Sequence, residues 1–388
     1  MWRHIASNAV TMLIVLLFLA GGTILWGKSR YDGAGPLTES FCVEVPTGSN
    51  MRQISVDLQT AGAITSGSIF RMGADYQEKA GQLKAGSYLV PSGASMAQIV
   101  DAITRGGANT CGTEVIYRIG VNRVTIQLRA FDTANDGLVE IATFDPSQDD
   151  VPPEYVDGKD APGTQFRLVL AEGVTSWQVA ESLAQIDILE GNLEDVPPEG
   201  ALAPRSYDLR IGDSRAELAE EMTRIQEERV AAVWTSRTDS LPIETPEELL
   251  ILASIIEKET AVAEERGQVA SVFVNRLNQG MRLQTDPTVI YGLTEGRGVL
   301  GRGIRQSELR AATPWNTYVI LGLPPTPIAN PGLASLEAAA QPLETPYLFF
   351  VADGTGGHAF AETLAEHNQN VAVWRRIEAE RANQSTDN

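Results

Sequence analysis

The chain has 388 residues with an ordinary hydrophobic share of 43%, and its formal net charge is −20 at pH 7. This length is enough for two or three domains, each with its own core. The acidic balance argues against a nucleic-acid partner, because nucleic acids are bound by basic surfaces. The sequence contains only three histidines and two cysteines. We therefore expect no metal site built from the usual ligands, and no cofactor.

The amino terminus contains a candidate membrane anchor. Residues 5–27 include no Asp, Glu, Lys or Arg, and this length is enough to span a bilayer. The stretch is longer than the core of a signal peptide, and no clear cleavage site follows it. The positive-inside rule hardly discriminates between the two orientations, because Arg3 lies on one side of the stretch and Lys28 and Arg30 lie on the other. The short tail favours a cytoplasmic amino terminus, so residues 1–30 are predicted to form a cytoplasmic tail and a single-pass anchor.

Four later segments share one plan, in which a short apolar strand, a glycine and an amphipathic helix follow one another. The four glycines are Gly48, Gly93, Gly173 and Gly212. Each is followed five residues later by Gln or Glu and then by an aliphatic residue. Self-similarity of this kind indicates duplicated supersecondary units. It predicts two small α/β modules, at residues 41–111 and 166–225.

Residues 112–165, between these modules, are predicted to form a β-rich insert to which we assign no function. Their β-branched content and partial alternation are typical of strands. A turn is expected at Asp132–Gly137, and an acidic, proline-rich loop at Ser147–Gly163. Cys42 and Cys111 flank the first module. An even pair outside the cytoplasm suggests a disulfide, with two buried free thiols as the alternative.

The most informative stretch begins at Thr245, a plausible N-cap that Pro246 follows in the first helical position. The pattern predicts one helix to about Arg266, ending at Gly267. On a helical wheel, five apolar residues share a face with Glu259, namely Leu252, Ile255, Ile256, Val262 and Ala263. Glu257 falls on the opposite side. Burial without a cationic partner raises a carboxyl pKa, as a general acid requires. The alternative is a structural ion pair between Glu259 and an arginine such as Arg276 or Arg282.

The order of several motifs carries a family resemblance. The blocks are ASIIEKETAVAEERGQVASVFVNRL, GMRLQTDPTVIYG, WNTY, GLPPTPIANPG and FVADGTGGHAF. From about Leu249 to Asn370 the chain resembles the MltG (YceG-like) family of endolytic murein transglycosylases. In that family one glutamate of the EKET block acts as both acid and base, which implies Glu259. The resemblance also implies an α+β protein with LysM-like modules and a mainly helical, lytic-transglycosylase-like catalytic domain at residues 226–388.

Eight further residues are candidates for holding the sugar and the developing charge. They are Asn275, Gln284, Thr285, Asp286, Tyr291, Asn316, Tyr318 and His358. Asp286 precedes Pro287, so it could instead be the N-cap of a short helix that runs through Tyr291. His358 follows a glycine-rich turn, where a lone histidine is more often structural.

The resemblance implies an enzyme that cleaves peptidoglycan strands between N-acetylmuramic acid (MurNAc) and N-acetylglucosamine (GlcNAc), leaving 1,6-anhydro-MurNAc ends. Such an enzyme would terminate nascent strands or set their length. Its partners would be glycan strands and peptidoglycan synthases, including penicillin-binding proteins. It would lie in the cytoplasmic (inner) membrane, with the catalytic domain on the periplasmic side. Two alternatives stay open. One is a hydrolase with two carboxylates, the second being Asp286 or Glu257. The other is a non-enzymatic scaffold that binds peptidoglycan.

Overall fold

The computed structural model describes residues 2–46, 48–105, 111–132, 137–161 and 163–386. Helices and strands are mixed along this chain, so the expected α+β class is confirmed. The chain divides into two compact units. The first comprises Met1–Val115, Gln127–Thr143 and Val151–Phe166. The second comprises Ile116–Ile126, Phe144–Asp150 and Arg167–Asn388.

The chain begins with helix α1, Trp2–Asp32. Its segment Thr11–Asp32 has a mean hydropathy of 1.7. By length and composition this is the one helix among the described residues that could cross a membrane. The large apolar side chains of residues 12–19 and 24–26 are exposed, which is what a lipid-facing helix requires. The predicted anchor therefore corresponds to a real apolar helix.

The first predicted module contains two strands and three helices. They are β1 (Phe41–Val45), α2 (Met51–Thr60), α3 (Gly67–Tyr76), β2 (Gly86–Val90) and α4 (Met96–Arg105). The strands pair antiparallel, with Val43 opposite Tyr88. The repeat did not predict α3, whose Phe70 is fully buried in the same core as Ile54 of α2. The predicted disulfide between Cys42 and Cys111 is confirmed, with the two Cα atoms 5.8 Å apart.

The predicted insert supplies three strands and an unpredicted helix. The elements are β3 (Thr113–Ile119), β4 (Val124–Asp132), β5 (Gly137–Phe144) and α5 (Pro153–Lys159). Helix α5 corrects the predicted acidic loop. Pro153 and Glu154 lie in its first turn, and Lys159 lies in its last turn. Proline and acidic residues are favourable at the start of a helix, and basic residues are favourable at its end. The turn expected at Asp132–Gly137 falls largely on residues 133–136, which lie outside the described chain.

A five-stranded sheet combines strands of the insert with strands of the second predicted module. The later strands are β6 (Gln165–Leu170) and β7 (Ser206–Leu209), and the strand order is β5-β4-β3-β6-β7. Helix α6 (Ser176–Ala184) follows β6, and α7 (Arg215–Thr235) follows β7. The predicted boundaries at residues 111, 165 and 225 stay predictions.

The glycine of each repeat adopts the same unusual backbone conformation. The φ angles are +81° at Gly48, +69° at Gly93, +77° at Gly173 and +89° at Gly212. Glycine adopts positive φ at little cost because it has no Cβ. Each of these glycines lies between a strand and the helix that follows it, so the predicted strand–glycine–helix plan is confirmed four times.

The C-terminal part of the second unit is mainly helical. Its elements are α8 (Pro246–Glu259), a 3₁₀ helix (Ala263–Glu265), α9 (Arg266–Asn278), α10 (Asp286–Thr294), α11 (Leu333–Ala340), β8 (Phe349–Ala352), β9 (His358–Ala361) and α12 (Leu364–Thr386). Strands β8 and β9 form an antiparallel pair. Helices α8, α9 and α11 share one hydrophobic core. Leu252, Ile255 and Ile256 are fully buried in it, as the helical wheel predicted.

The predicted continuous helix to Arg266 is wrong, because α8 ends at Glu259. Thr260 is extended, with φ −140° and ψ 130°. Its Oγ1 accepts a hydrogen bond of 3.0 Å from the Val262 N–H, which stabilises the break. The chain returns to a regular α-helix at Arg266. Val262 and Ala263 therefore do not share a helical face with Glu259, which is instead the last residue of a helix.

Candidate active site

Glu259 lies at the C-terminal end of α8 and is partly buried. Thr285 donates a hydrogen bond from its hydroxyl to Glu259 Oε1. Among the described residues Glu259 makes no salt bridge. Arg276 donates from Nε to the Leu348 carbonyl oxygen and from Nη1 to that of Leu283, each at 2.6 Å. Arg282 is exposed. The alternative of a structural ion pair with Arg276 or Arg282 is therefore not realised.

The surroundings of Glu259 favour its protonated form. Burial raises the pKa of this carboxyl, and the negative charge of Asp286 raises it further. The Thr285 hydrogen bond and the electrostatic influence of the His358 and Arg276 side chains act in the opposite direction, but the net shift in pKa is upward. A helix C-terminus also disfavours a carboxylate, because the exposed carbonyl groups there are negative. Glu259 thus has the property that a general acid needs.

Thr285 belongs to a cluster of three buried threonines, and the other two, Thr288 and Thr317, fix its position. The Thr285 N–H donates to Thr317 Oγ1 at 3.0 Å. The Thr288 hydroxyl donates to the Thr285 carbonyl oxygen at 2.8 Å. It also lies 2.8 Å from Thr317 Oγ1. All three side chains are 2% exposed or less. The hydroxyl that reaches Glu259 is therefore held by a rigid set of neighbours rather than by a free loop.

Asp286 is the first residue of α10 rather than its N-cap, which is Thr285. The Thr285 side chain makes no capping bond to α10, and Asp286 is exposed. Tyr318 donates from its hydroxyl to Asp286 Oδ1 at 2.6 Å. Gln284 is also exposed, in a left-handed conformation with φ +52°. The structure thus brings Thr285, Asp286 and Tyr318 together near Glu259, and Gln284 precedes Thr285 in the chain.

Asn316 and Asn275 are engaged with the protein itself. The Asn316 side chain is 0% exposed. Its amide nitrogen donates to the carbonyl oxygens of Glu308, Leu309 and Ala311 at 2.7–3.2 Å. The Asn275 amide nitrogen donates to the carbonyl oxygens of residues 345 and 347 at 2.8 and 2.9 Å. These bonds are typical of residues that hold loops in place, so the geometry does not favour direct sugar contact by either amide.

Tyr291 is partly buried and packs against the hydrophobic core of the helical part. Its ring centroid lies 5.7 Å from that of Trp315, whose Nε1 donates to Thr326 Oγ1 at 3.0 Å. Burial and the nearby Glu199 carboxylate raise the pKa of Tyr291. Glu199 accepts from the Ser176 N–H at 2.8 Å. The predicted sugar contact by Tyr291 stays untested.

His358 and Glu259 line the same cleft, which has a volume of roughly 250 Å³. Helix α12 adds Trp374 to this cleft, and the turn before β9 adds three glycines. His358 Nδ1 lies 2.8 Å from Glu265 Oε2. The sequence reasoning singled out neither Glu265 nor Trp374. Glu265 lies within the AVAEERG part of the block, among acidic residues just before α9, and such residues are typical of a helix start.

Glu257, the other carboxylate of the EKET block, is occupied elsewhere. Its Oε2 accepts from the Gly332 N–H at 3.0 Å and from the Ser335 hydroxyl at 2.7 Å. Both donors belong to the start of α11, so Glu257 caps that helix. Within the described residues no group of three or more His, Cys, Asp and Glu side chains could hold a metal ion.

Comparison with known proteins identifies the family. The model of the YceG-like family matches residues 43–373. A Bacillus subtilis (strain 168) protein named endolytic murein transglycosylase is 29% identical over 355 residues, which cover 90% of this chain and 89% of that protein. A Streptococcus pneumoniae serotype 2 protein of the same name is 27% identical, with 95% of this chain and 65% of that protein covered. A YceG-like protein of Listeria monocytogenes, known from a 2.6 Å crystal structure, is 27% identical. The two structures match with a TM-score of 0.45, and the match covers 85% of this chain and 98% of the Listeria chain. Since the family model matches well over half of its residues, the chain belongs to the YceG-like family.

Proposed function

We propose that this chain is a membrane-anchored endolytic murein transglycosylase. It would cleave peptidoglycan strands internally between MurNAc and GlcNAc and leave 1,6-anhydro-MurNAc ends. The relatives named endolytic murein transglycosylase support this function. The observation that carries it is the Glu259 carboxyl, whose pKa is raised by burial and which faces a cleft with the Thr285 hydroxyl bound to it.

One carboxyl is enough for both steps of such a reaction. Protonated Glu259 gives its proton to the glycosidic oxygen as the bond from that oxygen to the muramyl C1 breaks. The resulting Glu259 carboxylate takes the proton of the muramyl C6 hydroxyl, whose oxygen forms the new bond to C1. Glu259 is protonated again at the end, and no water is consumed. A two-carboxylate hydrolase instead needs a second group as nucleophile or as the base for water.

The neighbours of Glu259 have separate roles in this proposal. The Thr285 hydroxyl orients Oε1 and stabilises the carboxylate between the two steps. Asp286, held by Tyr318, places a negative charge near the oxocarbenium-like sugar that forms as the bond breaks. Gln284 is an exposed amide beside these groups, suited to hydrogen-bonding sugar hydroxyls. The ring of Trp374 offers an apolar face for a sugar in the same cleft.

The apolar helix would hold the enzyme at its substrate. We propose that α1 anchors the chain in the cytoplasmic membrane, with the catalytic part on the periplasmic side. Tethering raises the effective concentration of the active site near nascent strands that emerge beside the membrane. The two LysM-like modules would act as a spacer and guide for the strand, and peptidoglycan synthases would be the neighbours that supply it.

Mass analysis of the products tests the reaction class. Full-length protein in detergent is incubated with purified glycan strands. The proposed reaction gives fragments whose muramyl ends are one water lighter than those of a hydrolase. Muramyl ends that all carry a free hemiacetal would refute the proposal.

The position of Asp286 near Glu259 keeps the hydrolase as the second candidate. Asp286→Asn separates the two. If Asp286 is the essential second carboxylate of a hydrolase, this variant is inactive. If the charge of Asp286 only assists the transglycosylase reaction, the variant keeps residual activity and forms the same anhydro product.

A further inference from the structure

Glu265 holds His358 at two points. Glu265 Oε1 accepts a hydrogen bond of 2.9 Å from the His358 backbone N–H. Glu265 Oε2 lies 2.8 Å from His358 Nδ1. Both side chains are mostly buried, with 18% of Glu265 and 16% of His358 exposed. A carboxylate that binds the backbone and the ring of one residue fixes both the position and the rotation of that ring.

The glycine-rich turn leaves room for this carboxylate. An added Cβ at Gly357 would collide with Glu265 Oε1, which lies directly against the glycine. The preceding turn residues Gly354 and Gly356 have φ angles of +88° and +106°. Any side chain at position 357 would therefore displace Glu265 from His358. This is a second observation that the contact is built into the fold.

The contact also determines which ring nitrogen carries the proton. An ionised carboxylate only accepts hydrogen bonds, so His358 Nδ1 must be the donor. In the neutral ring the other nitrogen, Nε2, is then an acceptor. Nε2 has no hydrogen-bond partner within the described part of the chain, and the ring lines the cleft that contains Glu259. The cleft thus presents an unpaired, oriented acceptor beside the acid.

We propose that Glu265 is a positioning residue, which holds His358 in the Nδ1–H tautomer so that Nε2 accepts a hydrogen bond from the glycan. The partner would be a sugar hydroxyl or an acetamido N–H, both of which donors a MurNAc–GlcNAc strand carries. This inference rests on the proposed function for the identity of the ligand. The tautomer itself does not depend on that function.

Glu265→Gln tests the tautomer with little change in shape. The amide oxygen can still accept from the His358 N–H, but the amide nitrogen then donates to Nδ1, which forces the proton onto Nε2. Glu264→Gln is the matched control, because Glu264 is adjacent and exposed. The ¹⁵N shifts of the ring nitrogens, followed over a range of pH in full-length protein, report both the charge state and the tautomer of the ring. The chain has only three histidines, and loss of one signal set in His358→Asn assigns the ring.

We expect Nδ1–H in the wild type and in Glu264→Gln, and Nε2–H in Glu265→Gln. An Nε2–H wild type, or an unchanged tautomer in Glu265→Gln, would overturn the positioning role. Cleavage of purified strands gives the second readout. We expect Glu265→Gln to lower kcat/KM at least about 10-fold, the factor that corresponds to about 1.4 kcal/mol. Glu264→Gln should match the wild type.

His358→Asn separates position from chemistry. Asn can keep the hydrogen bond to Glu265 through its amide nitrogen but has no atom in the place of Nε2. We expect a folded protein with a loss in kcat/KM as large as that of Glu265→Gln. Wild-type kcat/KM in either variant would overturn the glycan contact. If the wild type cleaves no glycan at all, the proposed function and the glycan contact both fail, whereas the ¹⁵N shifts still decide whether Glu265 sets the tautomer.

Discussion

Thr285→Val removes the hydroxyl that donates to Glu259 Oε1 while nearly preserving side-chain volume. A hydrogen bond to a charged group contributes roughly 1.5–3 kcal/mol. The loss of this donor therefore raises the pKa of Glu259 further, because the hydrogen bond favours the ionised form. Because Glu259 is only partly buried, water can replace part of the bond, and we expect a loss at the lower end of this range, about 1.5 kcal/mol.

The pH dependence of kcat/KM measures the rise in the pKa of Glu259. Cleavage needs the protonated acid, so activity declines as pH rises through the pKa of Glu259. In Thr285→Val this alkaline decline should move to higher pH. The maximal rate should fall as well, since the carboxylate formed between the two steps loses a donor. Thr285→Ser keeps a hydroxyl and should restore the wild-type profile.

Thr288→Val is the matched control for the threonine cluster. Thr288 bonds to the Thr285 carbonyl oxygen and to Thr317 Oγ1, but makes no hydrogen bond to Glu259 in the described structure. This variant should lose stability, because buried partners are left unpaired, yet keep the position of the alkaline decline. An unchanged or downward-shifted decline in a folded Thr285→Val protein would refute the assignment of Thr285.

Three further outcomes are expected. Because burial raises the pKa of Glu259 above its unfolded value, the resulting stabilisation is complete at acid pH and is lost as pH rises through the folded pKa. Glu259→Gln should therefore match the wild-type Tm at acid pH and exceed it increasingly toward about pH 8, whereas a lower Tm there would contradict the raised pKa. Replacing Cys42 and Cys111 by serine opens a loop with a sequence separation of 69. Denaturant unfolding should show a loss of about 4 kcal/mol, and equal stability would count against the bridge. Removal of residues 1–30 from an exported form should leave cleavage of purified strands intact but impair function in cells, and full cellular function would show that the anchor is dispensable.

The sequence predicted those parts of the fold that depend on local patterns. The strand–glycine–helix repeats could be recognised because each turn needs a glycine at positive φ. The buried face of α8 could be recognised because Leu252, Ile255 and Ile256 recur at helical spacing. The assignment of Glu259 rested on that face and on the EKET block. Three of the five apolar residues of the face lie within α8, whereas Val262 and Ala263 lie beyond its end.

The break after Glu259 was missed because no proline or glycine lies in the TAVAEER segment that follows. Alanine and glutamate there favour a helix, whereas the extended Thr260 is stabilised by its own side-chain bond to Val262. The partnership of Glu265 with His358 spans 93 residues in sequence. Contacts of that range depend on how the helices and strands pack, which single-sequence patterns do not encode.

The strand order of the five-stranded sheet could not be predicted from the sequence either. The predicted insert and the second predicted module were treated as separate, but β3 lies beside β6. Strand patterns predict where strands occur but not which strands pair. The same limit applies to Asn316, whose residue type suits sugar binding but whose amide is fully buried among loop carbonyls.

The central claim is that Glu259 is the acid and base of an intramolecular glycan cleavage. The most direct measurement compares Glu259→Gln with Glu257→Gln on purified glycan strands, with products identified by mass. Glu257 is two residues away but caps α11, so it provides the same charge change outside the cleft. We expect Glu259→Gln to be folded and to form no anhydro-muramyl ends, and Glu257→Gln to form them at a mildly reduced rate. Anhydro products from a folded Glu259→Gln protein, or an equal loss of activity in both variants, would contradict the assignment.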